Sequence, residues 1–430
     1  MVQHKRFFTG ALALVLSLAI LAPVFAAGQQ DAGEGEEPAQ TVEIWSWRSQ
    51  DELVWEAVTA ELQDMGENIV VDYRNFVPTE YDSKLLASLQ GGSGPDIMYT
   101  RRLPGNRTQA LIDNGYLVPL DDEIDLSNFT DATLGFIQSG GQTWGIPFAN
   151  QIVGIFYNTA IFDEHGFEEP ETWDELVAIA EELEANDVTP FALPGRAAWV
   201  LAMQHAMTGV SVPGEEWIGR LIEGDVKFND PAMVDLNTKL MDLSQYYQDD
   251  FMANNAEEQD ALFAFEEAAM VFYGIWAITT WKELNPEIEV GYFPVPPAST
   301  DVPARAYVYM DGSFALNSDS DVPEAAMKVL EYSATPDFGT IFAEVTGEMT
   351  AVANVDMPPE NELLVEAYEL STSIASENIY WVGSPFQRGT PTPYDILQEG
   401  MQAMYLGDIT PEELADRLQE GVSEWYEPLQ

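Results

Sequence analysis

The sequence contains no cysteine among its 430 residues. That excludes disulfides, thiolate metal sites and cysteine nucleophiles. Histidine is nearly absent: His4, His165 and His205 are the only three. A His-rich metal site or a Ser-His-Asp triad has almost nothing to draw on. Cations are scarce too, with 17 Lys and Arg against 73 Asp and Glu, a formal charge of −56. Nucleic acid and anionic membrane surfaces are bound through clustered Lys and Arg, so neither is expected as a partner. No Gly-x-Ser-x-Gly, His-Glu-x-x-His or Walker pattern occurs, which removes the commonest hydrolase and nucleotide signatures. No cofactor is expected.

Apolar residues make up 46% of the chain and aromatics 11%. A chain so rich in Trp, Tyr and Phe can bury a core, so its charge does not imply disorder. The length suits two or three domains, or one large two-lobed unit. Residues 1–26 read as a secretory signal peptide: Lys5 and Arg6, an apolar run at 11–22, then Pro23, Val24, Phe25 and Ala26. Small residues at −3 and −1 place cleavage after Ala26. The apolar run is shorter than the ~20 residues of a membrane span. A lipoprotein would need a cysteine at the cleavage point, so a free periplasmic protein is expected. Cleavage removes Lys5 and Arg6 and no acid, giving 15 − 73 = −58. Residues 27–40, polar and rich in Gly and Glu, read as a flexible leader.

Strand patterns at 41–47 (TVEIWSW), 68–73 and 96–99 alternate with helical stripes at about 50–64, with Leu53, Ala57, Val58 and Leu62, and at about 79–90, ending at Gly91 and Gly92. This alternation predicts an α/β lobe with a mainly parallel sheet. Further strands are expected near 144–148, 152–157, 290–294 and 306–309, and helices at about 323–334 and 395–406. The stretch 196–285 reads as mostly helical. Thr172 with Glu175, and Thr410 with Glu413, have capping-box spacing.

Five segments then appear in a telling order: LLASLQGGSGPDI at 85–97, GYLVPL at 115–120, GIPFANQIVGIFYNTAIF at 145–162, PETWDEL at 170–176 and EEAAMVFYGIWA at 266–277. Together they resemble the family 1 extracellular solute-binding proteins of ABC sugar importers, the group that includes maltose-binding protein. In the last segment Glu267 stands where that pattern has Gly. The resemblance covers essentially all of the mature chain. It implies an α/β, two-lobed periplasmic-binding-protein-like fold of type II, with a hinge crossed three times. We place the crossings near 148–152, 288–293 and 344–352. One lobe would be 41–149 plus 292–345, the other 150–290 plus 350–430.

A sugar presents hydroxyls and flat C–H faces, which planar polar groups and aromatic rings match. Trp276, after Gly274, reads either as core beside Val271, Phe272 and Ile275 or as a platform; the resemblance favours the platform. Trp45 and Trp47 share a strand face, and Trp47, nearer the strand end, is assigned to the cleft. Arg48, Arg101 and Arg102 follow predicted strands and form a local excess in a chain with ten arginines after residue 26. They could grip paired hydroxyls or an acidic sugar, or simply pair with nearby carboxylates. By resemblance, Gln151 aligns with a ligand contact and has Asn150 beside it. Trp199, Asp311 and Tyr394 fall in segments the family turns toward ligand. Asp96 is read as a structural turn. The expected partners are a saccharide and the membrane permease of an ABC transporter, with the binding protein a monomer.

A secreted glycosidase or lyase is the competing class. It would need a carboxylate pair ~5–10 Å apart, and nothing singles one out. Asp319 and Asp321 have a spacing that could hold Ca²⁺, but no EF-hand loop surrounds them. The expectation is a non-catalytic binding protein. Its acidity is read as adaptation to a salty exterior.

Overall fold

The computed structural model describes residues 38–121, 123–353, 355, 362–376, 378–380 and 384–430. The expected signal peptide and nearly all of the leader lie outside them. Residues Ala39–Gln430 form one unit, built around two sheets, each with its own core.

Strand β1 (Gln40–Ser46) turns Val42 and Ile44 inward, where both are fully buried. The helix Glu52–Asp64 packs Val54, Trp55, Val58 and Leu62 on one face. Leu53 does not join them and is 60% exposed. At ~100° per residue the inward arc is filled by Val54 and the much larger Trp55. β2 (Ile69–Asn75) and β3 (Ile97–Arg101) both pair with β1 in parallel, as the alternation predicted. The helix Pro78–Gln90 between them is capped by Gly91, with Gly92 at φ +67°, a left-handed turn that suits glycine.

β4 (Ile146–Pro147) and β5 (Ala149–Asn158) are almost continuous, yet β4 belongs to the first sheet and β5 to the second. β6 (Thr189–Ala192) and β7 (Ala268–Gly274) extend the second sheet. β7 interrupts the stretch expected to be mostly helical. Every one of its residues is buried, the uniform apolarity of a central strand covered on both faces. β8 (Val290–Phe293) and β9 (Tyr307–Met310) then run along one edge of β5, opposite 155–158 and 150–153. β10 (Gly312–Leu316) returns to the first sheet between β3 and β4. β11 (Met349–Thr350) pairs with the start of β5. The first sheet therefore runs β2-β1-β3-β10-β4, and the second β8-β5-β7-β6.

This layout corrects one of the expected crossings. The sheet changes at Asp311, between β9 and β10, and not at 288–293. Tyr292 and Phe293 pack on Phe156, Tyr157 and Phe162, so 290–310 belongs with the second core. After β11 the chain still packs Ala351 and Val352 in the first core, and it joins the second at Leu363 and Leu364. That crossing therefore starts within 344–352, where β11 pairs with β5, and is completed by 363–364. The first, at 148–152, lies where Phe148 and Ala149 sit in one core and Ile152 in the other.

The helices Ala198–Gly209, Pro231–Leu243, Pro393–Tyr405 and Pro411–Ser423 complete the second core. Thr410 and Glu413 form the full capping box. Thr172 caps its helix, but the Glu175 carboxylate accepts from the N–H of Glu171 instead, at 2.7 Å. No described helix is long and apolar enough to cross a membrane.

Candidate functional site

β1 ends at Ser46, whose hydroxyl accepts the Arg48 N–H at 3.0 Å and turns the chain inward. Arg48 is then only 3% exposed and reaches three carboxylates. Its Nε donates to Asp51 at 2.8 Å, Nη1 to Asp311 at 3.1 Å and Nη2 to Glu348 at 2.7 Å. Gln151 Nε2, on β5, donates to the other Glu348 oxygen at 2.6 Å. Tyr99 donates to Asp51 at 2.7 Å. Asp311 lies at the β9–β10 crossing and Glu348 just before β11, so one guanidinium ties these two crossings together, and Gln151 links β5 to them through Glu348. Burial lowers the Arg48 pKa, and Asp51, Glu348 and Asp311 more than reverse that, leaving it well above its ordinary value. Burial also raises Glu348, against the pull of Arg48.

Arg48 and Gln151, read from the sequence as cleft contacts, are thus buried in this structure, and their N–H groups are directed at carboxylates. Asp311 keeps 12% of its side chain exposed beside them. Asp96 takes the structural part expected of it, accepting from the Glu43 N–H at 2.9 Å and from Ser320 at 2.6 Å.

β3 ends on Arg101 and leads into Arg102. The Arg101 guanidinium carbon lies 3.6 Å from the centre of the Trp47 ring. Trp47 is 9% exposed and is held edge-on by Tyr81 and Tyr99. Arg102 lies 4.6 Å over Tyr309 and donates to the carbonyls of Met310, at 3.1 Å, and Asp311, at 2.6 Å. Burial lowers its pKa. The Nε atoms of Arg101 and Arg102 have no hydrogen-bond acceptor although both are buried.

In the second lobe, Trp199, Tyr273 and Trp276 form an aromatic group, with ring centres 5.3–6.0 Å apart. A Cβ on Gly274 would lie 1.9 Å from the Trp276 ring, so glycine there lets the indole fold back over the end of β7. Trp199 and Trp276 are half-buried and rest on the second core. Asn150 is half-buried at the start of β5. Tyr394 also sits on the second core, yet the guanidinium of Arg107, from the first-lobe helix Asn106–Asp113, lies 5.2 Å over its ring. Arg107 reaches Asp395 at 3.7 Å, and Asn106 donates to the Gly389 carbonyl at 3.2 Å and the Thr390 hydroxyl at 3.0 Å. These contacts join the lobes away from the hinge. A groove of about 550 Å³ beside them is lined by Leu103, Asn106, Gln109, Ser139 and Arg388.

Several of these residues escaped the sequence reading. Arg107 belongs to the same local excess of arginine as Arg101 and could have been found by it. Tyr273 and Tyr309 looked like ordinary strand residues. Asp51 and Glu348 carry no local signal in so acidic a chain. Among the described residues, no group of three or more His, Asp or Glu is placed to hold a metal ion.

The family profile for bacterial extracellular solute-binding proteins matches residues 47–339. A multiple sugar-binding protein of Streptococcus mutans is 25% identical over 344 residues, spanning 77% of this chain and 79% of its own length. A solved chitin oligosaccharide binding protein superposes with a TM-score of 0.77 at 24% identity, over 90% of this chain and 99% of its own. RafE in complex with raffinose gives 0.76 at 20% identity, over 91% and 100%. The apo-form of RafE from Streptococcus pneumoniae gives 0.68 at 20% identity, over 92% and 99%.

Proposed function

Because the chain belongs to the bacterial extracellular solute-binding protein family, we propose that it captures a mono- or oligosaccharide between its lobes and delivers it to the membrane permease of an ABC importer. The observation that carries this reading is the pair of half-buried indoles, Trp199 and Trp276, whose ring centres are 6.0 Å apart. Rigid aromatic faces suit the C–H surface of a pyranose and lose little entropy on binding. Polar partners for hydroxyls come from Asn150 and Asp311 near the hinge and from Arg101 and Arg102 at the end of β3. Tyr394, already under Arg107, lies where closing lobes would meet over a ligand. Residues 1–26 direct export, the mature protein works as a free monomer in the periplasm, and it performs no chemistry on its ligand.

The test is calorimetry and thermal shift on the mature protein against neutral and acidic mono- and oligosaccharides. The expected result is saturable one-to-one binding to members of one saccharide class, with the sugar recovered intact. Sustained release of new reducing ends would replace this reading by the carboxylate-pair glycosidase. Silence from every saccharide, with a clear shift from a polyamine or a polyol phosphate, would overturn the sugar claim.

A further inference from the structure

In a chain of charge −56, Arg101, Arg102 and Arg107 sit together at one end of the first sheet. A neutral sugar asks for no such concentration of cations, because Asn, Gln and Asp supply the same hydrogen bonds to hydroxyls. The placement of two of them adds a geometric argument. Arg101 lies over Trp47, with its central carbon 3.6 Å from the ring centre. It covers a face of the indole that a neutral pyranose would otherwise use. Trp47 is wedged edge-on between Tyr81 and Tyr99. A Cβ at Gly312 would touch its outer edge at 3.1 Å.

Contact with the ring holds the Arg101 guanidinium in place without using its donors. Arg102 is held likewise, 4.6 Å over Tyr309, and anchored through Nη1 by two carbonyls. In both residues Nε lacks an acceptor while buried, a state that is costly for a polar group until a partner arrives. The nearby carboxylates give ion pairs but no hydrogen bond to these atoms. Asp82 Oδ1 lies 3.6 Å from Arg101 Nε, beyond hydrogen-bond reach, while its Oδ2 bonds Arg107 at 2.6 Å. Asp311 lies 4.0 Å from Arg102 but bonds Arg48 at 3.1 Å.

We infer that Arg101 and Arg102 form a specificity fork for a carboxylate, and that the saccharide class taken by this cleft is a uronic acid or a uronate-containing oligosaccharide. This rests on the saccharide reading proposed above. A carboxylate offers two coplanar oxygens to a planar donor fork; sulfate and phosphate esters can pair with a guanidinium in the same bidentate way, so the sulfated and phosphorylated sugars of the test below separate these anions. Trp47 and Tyr309 then act as positioning residues, holding the guanidinium groups in place. Trp199 and Trp276 carry the sugar rings.

The experiment is calorimetry at one fixed high salt concentration with D-galacturonate, D-glucuronate and their di- and trisaccharides. The matching neutral galactose and glucose sugars, and a sulfated and a phosphorylated sugar, are run alongside. At least one uronate series is expected to bind about tenfold or more tightly than its neutral counterpart. Arg101→Gln should abolish that preference, weakening uronate binding about tenfold or more beyond any loss for neutral sugars, with the protein still folded by its thermal midpoint. Arg101 is partly exposed, so this variant tests the inference even if Arg102→Gln fails to fold. Arg101→Lys, which keeps the charge without the planar fork, should restore only part of the preference. Neutral sugars binding as tightly as uronates, Arg101→Gln weakening both classes alike, or binding confined to sulfated or phosphorylated sugars would each overturn the inference and leave the saccharide reading standing. No binding by any sugar would overturn both.

Discussion

Arg48 meets three carboxylates, and each comes from a different stretch of chain. A guanidinium in that position neutralises charges that could not otherwise be buried together. Its removal should therefore cost more than the loss of one surface pair. Arg48→Leu leaves Asp51 and Glu348 buried without a counter-ion and Asp311 with only the distant Arg102, and unfolding free energy is expected to fall by about 3–5 kcal/mol. Arg48→Lys should recover only part of this, because a compact ammonium keeps the charge but lacks the planar spread of donors that reaches three separate carboxylates. Denaturant unfolding of the two variants checks both numbers; a loss for Arg48→Leu under ~1 kcal/mol would show that the cluster is not the tie it resembles. Trp276 is a different case, because it is only partly buried and rests on the core from outside. Trp276→Ala should weaken saccharide binding about tenfold or more, while the buried strand β7 keeps the fold intact. Titration calorimetry beside a thermal melt separates the two effects, and unchanged affinity would return Trp276 to the core.

At the scale of elements, the second lobe is pinned by a buried histidine. His205, on the helix Ala198–Gly209, contacts Asn237 on the helix Pro231–Leu243 at 2.7 Å and the Tyr380 hydroxyl at 2.8 Å. Asn237 in turn donates to the Pro411 carbonyl at 2.8 Å, at the start of another helix. Burial pushes His205 down from 6.5 to about 4, partly opposed by its hydrogen bond to Asn237. Below pH 6.5 the unfolded chain takes up this proton while the folded chain resists it until about pH 4. The unfolded state therefore binds more protons in that window, and stability falls as pH drops, by about 3 kcal/mol from this group. His205→Gln should flatten that part of the pH dependence in melts between pH 7 and 4.5; parallel slopes would assign the acid sensitivity to other groups.

Elements of this kind were readable in advance where the signal was local. β1, β3 and the Thr410 cap follow from short patterns, and the order of motifs carried the family. The hinge was harder to place, because β8 and β9 are short strands whose side of the molecule depends on distant partners, Phe156, Tyr157 and Phe162 for β8 and the start of β5 for β9. The partners of Arg48 at Asp311 and Glu348 lie 263 and 300 residues from it. Nothing near Arg48 in the chain distinguishes a buried tie from a ligand contact.

The whole molecule must stay folded, and its lobes must meet, under a formal charge of −56. The helix Trp173–Ala185 shows the pattern: Asp174, Glu175, Glu181, Glu182 and Glu184 are all exposed, with no cation among its residues. Seventeen Lys and Arg cannot balance 73 acids, and Arg48, Arg101, Arg102 and Arg107 are held at the hinge and the seam. Surface pairs such as Lys84–Glu80 and Lys328–Glu67 contribute only ~0–1 kcal/mol each. Most carboxylates therefore repel one another across open solvent. That repulsion reaches ~10 Å at 0.1 M salt and only ~3 Å at 1 M. Contacts such as Arg107–Asp395 bring two acidic lobes together, so closure carries the same penalty as folding and gains from the same screening. The melting temperature should thus fall steeply as sodium chloride is lowered from about 2 M to 0.1 M. Affinity for a neutral saccharide, which needs closure but carries no charge to be screened, should weaken in the same direction. A melting temperature that stays flat across this range would mean that the acidity is no adaptation to salt.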